Sequence, residues 1–250
     1  MTKQRLDTFL AKRGLVASRS QAESWIKLGK VTVDGKVITK SGHLVSETSD
    51  IQVSSAERYV SRAGLKLASV AEVLKIDFRD KTVLDVGSST GGFTDYALQH
   101  GATKVYAVDV GTDQLHPALR KNRRIDIHEK TDIRDFLLKQ APNIVVIDVS
   151  FISLSDILPH IAKELADNQT QVVAMVKPQF EAGKDQINKG IIKNETIRRQ
   201  ILKDFEAWAK QMFVVQDKRD SEVSGAKGNR ERFYLLTLNR NSTMSSGRII

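Results

Sequence analysis

The sequence contains no cysteine, which excludes a disulfide framework, a thiolate metal site and a cysteine nucleophile together; no metal is expected. Apolar runs of membrane-spanning length are also missing. The longest, at Ile144–Ile147 and 172–176, have the length of strands. Residues 1–30 carry Lys and Arg throughout, without the apolar stretch of a signal peptide. The expectation is a cytoplasmic protein without a membrane partner, so the Asn-x-Ser/Thr matches at Asn168, Asn194 and Asn241 are read as chance. There is no repeat and no low-complexity tract.

What is present is a 250-residue chain, 40% hydrophobic, with a formal charge of +9. That length accommodates one large domain and a small one. The positive surplus favours polyanionic partners, of which nucleic acid is the commonest. Two textures meet near residue 60. Residues 1–54 read as a small module, 55–60 as a linker and 61–240 as an α/β domain of alternating strands and amphipathic helices; 241–250 read as a frayed tail.

In the small module, Leu6, Phe9 and Leu10 have helical spacing, and Gly14 provides a stop. A second helix opens at Ser18 and carries Ala22, Trp25 and Ile26 on one face before Gly29 ends it. Val31 and Val33 then alternate with polar residues, and Asp34-Gly35 forms a two-residue hairpin turn into Val37. The result is a helix pair on a small sheet with a cationic surface. Arg5-Leu6-Asp7, Ser18-Arg19, Ala22, Ile26, Gly29, Val31, Val33 and Gly35 resemble the S4 RNA-binding domain. That resemblance implies that Arg5, Arg13, Arg19, Lys27 and Lys30, together with Arg62 beyond the linker, face structured RNA through phosphate contacts.

In the large domain, the apolar strand Thr82–Val86 runs into Gly87, Ser88, Ser89, Thr90, Gly91 and Gly92, and a helix follows from Phe93. Glycines at such a turn let backbone approach a ligand closely. Ser89 stands at the second glycine of a dinucleotide fingerprint, and no lysine follows Gly92 as a P-loop requires. What remains resembles motif I of the S-adenosylmethionine-dependent methyltransferases. The resemblance implies a cofactor site built from Asp85, Gly87, Ser88, Ser89, Thr90, Gly91, Gly92 and Phe93. Asp109 after the second strand would serve the ribose hydroxyls, Asp132 after the third the adenine, and Asp148 would complete the set. The fold class expected is α/β, a Rossmann-like, mostly parallel sheet with an antiparallel last strand, joined to a small α+β S4 domain.

The fourth strand delivers Asp148, and the fifth delivers Lys177 and then Pro178, to the carboxyl edge of the sheet, where open α/β sheets bind ligands. A lysine beside a long apolar run is partly desolvated, which disfavours its ammonium, as a base requires. Lys66 lies on a helix over 61–74, and Glu231 opens the last strand. Lys66, Asp148, Lys177 and Glu231 resemble the Lys-Asp-Lys-Glu tetrad of FtsJ-type ribose 2′-O-methyltransferases. With Arg62-Ala63-Gly64, Asp148-Ser150-Phe151-Ile152-Ser153-Leu154, Lys177-Pro178-Gln179-Phe180-Glu181 and Gly228-Asn229, the chain resembles the TlyA-type, hemolysin-A-like family over residues 4–238. The resemblance implies an enzyme that methylates ribosomal RNA or ribosomal subunits, with S-adenosylmethionine as donor and a cytidine ribose as target. Lys177 would be the base, Asp148 would orient it, and Lys66 and Glu231 would position the hydroxyl.

The stretch 180–194, with Gly183, Lys184, Lys189, Gly190 and Lys193, reads as a substrate-side loop. Three other functions stay open. A base N-methyltransferase is one, since Asp148-Val149-Ser150-Phe151 is distantly similar to an Asp/Asn-Pro-Pro-aromatic loop, without its prolines. A catalytically silent RNA-binding or ribosome-assembly factor is another. A membrane-lysing protein lacks a segment to insert. Oligomeric state is not encoded in any motif.

Overall fold

The computed structural model describes residues 3–16, 18–27, 29–53, 59–183, 191–192, 194–225 and 228–239. Residues 55–58 of the predicted linker at 55–60, loop residues Lys184, Lys189, Gly190 and Lys193, and the predicted tail lie outside the described residues. The chain divides into two compact units, Met1–Arg58 with Glu222–Ala226 and Tyr59–Ser221 with Lys227–Ile250.

In the first unit, α1 (Leu6–Lys12) and α2 (Arg19–Lys27) bury Leu6, Phe9, Leu10, Ala22, Trp25 and Ile26 between them and the strands. Ser18 Oγ accepts from Gln21 N at 3.1 Å, capping α2. The strands form two ladders where the sequence suggested one sheet. β1 (Gln4–Arg5) pairs with β4 (Leu44–Val45), while β2 (Val31–Val33) lies between β3 (Lys36–Val37) and β5 (Ile51–Val53). The β2–β3 turn holds Asp34 at φ 50° and Gly35 at φ 75°, the left-handed pair a two-residue hairpin demands.

The second unit begins with α3 (Arg62–Ala71) and is built on seven strands in the order β11-β12-β10-β9-β6-β7-β8. β6 (Thr82–Val86), β7 (Lys104–Val108), β8 (Ile125–His128), β9 (Ile144–Ile147) and β10 (Gln171–Val176) are parallel. β12 (Arg232–Leu238) runs antiparallel to both β10 and the edge strand β11 (Phe213–Asp220). The intervening helices are α4 (Gly92–Gln99), α5 (Pro117–Arg120), α6 (Leu154–His160), α7 (Pro178–Glu181) and α8 (Glu195–Ala209). Asn194 caps α8 by accepting from Thr196 N and Ile197 N. α6 widens into a π turn at Ile161–Leu165 just past Pro159, whose missing N–H breaks the regular ladder.

This is the mixed, mostly parallel Rossmann-like sheet that the alternation of apolar strands predicts. The chain leaves β6 toward β7 and β8 on one side and returns to β9 and β10 on the other. A crevice therefore opens past the carboxyl ends of β6 and β9, where such sheets take ligands. Leu84, Val86, Val145, Ile147, Val172, Ala174 and Val176 are all buried to within 1% of full, which fixes these strand ends rigidly.

Candidate active site

Asp85 sits one residue before the end of β6 and is fully buried. Its Oδ2 accepts from Thr94 N at 2.9 Å and Thr94 Oγ1 at 2.6 Å, anchoring the start of α4. Its Oδ1 is buried without a hydrogen-bond partner. Burial pushes this carboxyl up to about 7, against the Thr94 hydrogen bond and with the charges of Asp148 and Asp109.

Gly87, at φ 78°, turns the chain; a Cβ there would lie 2.7 Å from Asp148 O, so only glycine lets β6 and β9 end side by side. Ser89, at φ 46°, lends its N–H to Asp109 Oδ2 at 2.8 Å, and Gly111 N reaches Asp109 Oδ1 at 2.7 Å. Asp109 thus ties the glycine turn to the end of β7. Gly91 and Gly92, read from sequence as ligand-facing, do not line the cavities beside this turn. A Cβ on Gly91 would strike Leu119 and Leu115, and one on Gly92 would strike Ser61, Ala63 and the Gly64 backbone. Their missing side chains bring α5 and α3 close, and that closeness lets α3 deliver Lys66.

A cavity of about 430 Å³ runs along the strand ends, lined among others by Gly87, Ser89, Asp109, Asp132, Asp148 and Phe151, with Val110, Ile133 and Ile152 as apolar walls. A smaller one of about 140 Å³ adjoins it, sharing Gly87, Ser89, Asp148 and Ser150 and adding Asp85, Ser88, Thr90, Phe93 and Lys177. Asp132 also spends its carboxylate locally. It accepts from Arg134 N and pairs with the Arg134 guanidinium at 2.6 Å, and that side-chain hydrogen bond holds it below the usual carboxylate range.

Two ion pairs stand at the same edge. Lys177 Nζ lies 2.5 Å from Asp148 Oδ1 and donates to Ser150 Oγ at 2.7 Å. Lys66 Nζ lies 2.6 Å from Glu231 Oε2. All four side chains are at most 15% exposed. The antiparallel register pairs Val176 with Arg232, so the next residue outward on β10, Lys177, stands opposite Glu231. The structure therefore gathers Lys66, Asp148, Lys177 and Glu231 at one rim, beside the glycine turn.

Three residues at this rim drew no role from sequence reasoning. Phe151 is 92% exposed at φ 66°, its ring 5.2 Å from that of Phe180. Ser150 holds Lys177, and Glu181 holds the loop containing both. The signal was available in the two quoted blocks that contain them, but neither an exposed phenylalanine nor a helix-end glutamate has a periodicity to betray it. Glu129, just past the end of β8, accepts from Asp113 N, Gln114 N and Leu115 N and from Arg120, shaping the loop at the cavity mouth.

On the first unit, Asp7 is completely buried. Arg5 reaches it through Nε at 3.0 Å and Nη2 at 2.8 Å, and Arg19 through Nε at 3.1 Å. Both arginines stay about half exposed. Arg13 lies over the Phe9 ring at 5.1 Å and Lys30 over Trp25 at 5.4 Å, while Lys27 is exposed. Arg62 opens α3 in the second unit, half-buried.

The donor set fits S-adenosylmethionine. An unpartnered buried carboxylate oxygen can meet an ammonium, the glycine turn leaves room for an aminocarboxylate, and apolar walls flanked by Asp109 can take a nucleoside. Among the described residues there is no cluster of His, Cys, Asp or Glu suited to a metal, and no helix is long and apolar enough to cross a membrane.

Residues 59–239 match the FtsJ-like methyltransferase model and residues 4–51 the S4 domain model. Hemolysin A of Brachyspira hyodysenteriae is 40% identical, the match covering 91% of this chain and 97% of that protein. The 23S rRNA (cytidine-2′-O)-methyltransferase TlyA of Campylobacter jejuni is 36% identical, covering 94% of this chain and 100% of that one. A solved structure from Streptococcus thermophilus, described as a hemolysin, superposes with a TM-score of 0.71 at 40% identity, over 96% of this chain and 90% of that one. The chain belongs to the TlyA/hemolysin A family, whose members join an S4 domain to an FtsJ-like methyltransferase domain.

Proposed function

We propose that this protein methylates the 2′-hydroxyl of a ribose, that of a cytidine in ribosomal RNA, using S-adenosylmethionine. The observation that carries this reading is the position of the Lys177–Asp148 pair, which lines the cavity formed by the glycine turn. The relatives named as cytidine 2′-O-methyltransferases support the choice of ribose and base.

When bound, S-adenosylmethionine supplies a methyl group activated by its sulfonium. Asp85 Oδ1 would receive the cofactor's ammonium, and Asp109 its ribose hydroxyls. Asp132 would lie toward the adenine, between the apolar walls. A ribose hydroxyl is a poor nucleophile near neutrality, so its proton must leave as the new bond forms. Lys177, once its own proton has passed to solvent, takes that proton as a neutral amine, and Asp148 and Ser150 hold the Lys177 side chain in place. Lys66 and Glu231 balance charge and position the hydroxyl. With two lysines and two carboxylates in contact pairs, the proton enters a coupled group and not a single side chain. Phe151, exposed at the mouth, offers a face on which a base unstacked from the RNA can rest. Arg5 and Arg19, set by Asp7, take phosphates.

The reaction products test this reading. Ribosomal subunits, whole ribosomes and naked rRNA are incubated with labelled cofactor, digested to nucleosides and separated. A 2′-O-methylcytidine is expected; a methylated base with unmodified ribose overturns the proposal in favour of an N-methyltransferase.

A further inference from the structure

The loop from Asp148 to Leu154 is gripped twice by one short segment of chain. Lys177 grips its start through Asp148 and Ser150. Glu181, one turn further along at the end of α7, grips its finish: Oε2 accepts from Ser153 Oγ at 2.5 Å and Oε1 from Leu154 N at 2.9 Å. Between the two grips stands Phe151, in a left-handed conformation that costs a non-glycine residue about 1 kcal/mol or more. Such strain persists only where the surroundings over-determine it, and here the two ends of the loop are both fixed.

Glu181 is more than α6 needs as a cap. Ser153 already caps that helix by accepting from Ser155 N at 3.0 Å. Burial pushes the Glu181 carboxyl up, against the hydrogen bonds from Leu154 and Ser153, and Asp156 adds a like charge. A half-buried carboxylate held by two hydrogen bonds at an already capped helix start is costly unless it serves the loop.

We infer that Glu181 is a positioning residue for methyl transfer: by fixing the far end of the 148–154 loop it holds Asp148 and Ser150 against the Lys177 side chain and Phe151 at the cavity mouth. This rests on the proposed reaction, and it adds a residue outside the Lys-Asp-Lys-Glu set. Loose support around a correctly composed site is a recognised way to lose rate without losing binding.

The test uses the full chain with Glu181→Ala and Glu181→Gln. Glutamine keeps an acceptor for Leu154 N and a partner for Ser153 Oγ; alanine keeps neither. Glu181→Ala is expected to lower kcat about 30-fold, with S-adenosylmethionine Kd changed no more than about 2-fold by calorimetry, and to move the pH midpoint of kcat by roughly half a unit. Glu181→Gln is expected to recover kcat to within about 3-fold and to restore the midpoint. Amide exchange at Leu154, measured without cofactor or RNA, is expected to quicken in the alanine variant alone. An alanine variant with wild-type kcat, one whose kcat falls with the pH midpoint unmoved, one that glutamine does not rescue, or unchanged Leu154 exchange overturns the inference. A wild-type protein that transfers no methyl while its Leu154 exchange follows the expected pattern ends the proposed function but leaves the clamp itself standing.

Discussion

Lys66 Nζ and Glu231 Oε2 lie 2.6 Å apart, joining the helix that precedes the sheet to the residue that opens its last strand. Both are nearly buried, so removing one partner strands a charge, a loss on the order of 3–5 kcal/mol for buried pairs. Lys66→Ala and Glu231→Gln are each expected to lower kcat about 100-fold, and the double variant to be little worse than either. Independent, multiplying losses in a double-mutant cycle would show that the two do not act as a pair.

Asp85 predicts a pH signature. Its folded value of about 7 lies above that of an unfolded aspartate, so the native protein binds the extra proton and stability falls as pH rises from about 4 through 7. Asp85→Asn removes that cost. Without cofactor it is expected to melt near the wild type at about pH 4 and clearly higher at about pH 8, a gain on the order of 4 kcal/mol, while binding S-adenosylmethionine more weakly. A melting difference that is flat with pH would mean that Asp85 does not titrate in this range.

The central strands could be read from sequence because β9 and residues 172–176 of β10 are short, uninterrupted apolar runs buried on both faces, and three catalytic candidates, Asp148, Lys177 and Glu231, sit just beyond strand ends whose position follows from that order. Less legible was anything decided by packing between distant segments. Gly91 and Gly92 look like ligand-facing glycines along the chain, but only the approach of α3 and α5 shows what their missing side chains accommodate. Asp7 reads as one more surface charge, yet it is buried because Arg5 and Arg19 converge on it from two elements. β1 and β4, two residues each, are too short for any alternation to reveal. β11 runs to Asp220, where Arg198, Arg230 and Arg232 gather on one carboxylate, a convergence of two strands and a helix that no local pattern reveals.

Asp7 carries an acid-sensitivity prediction for the first unit. Burial raises its carboxyl, but the hydrogen bonds of Arg5, Thr8 N and Arg19 outweigh that and bring it down to about 2. The stabilisation is complete above about pH 4 and is lost as pH falls through 2. With both arginines half exposed, it amounts to roughly 1–2 kcal/mol. Asp7→Asn is expected to flatten the acid dependence of this unit, followed through Trp25 emission in a Trp208→Phe background, and to weaken RNA binding by freeing Arg5 and Arg19. An unaltered acid transition would remove Asp7 from the account.

Phe151 separates substrate capture from folding. Its side chain is 92% exposed, so Phe151→Ala is expected to change stability by no more than about 0.5 kcal/mol. If a base rests on the ring, kcat/KM for RNA falls about 10-fold or more, the loss expected from one base–aromatic stack. Unchanged kcat/KM on ribosomal substrate would leave the aromatic without that role.

Lys177→Ala under single turnover addresses the central claim most directly, with cofactor and RNA affinities measured on the same preparation. The predicted result is methyl transfer reduced by about 1000-fold or more while both affinities stay near wild type. A variant that binds both partners and transfers methyl at the normal rate would contradict the assignment of this rim as the reacting centre.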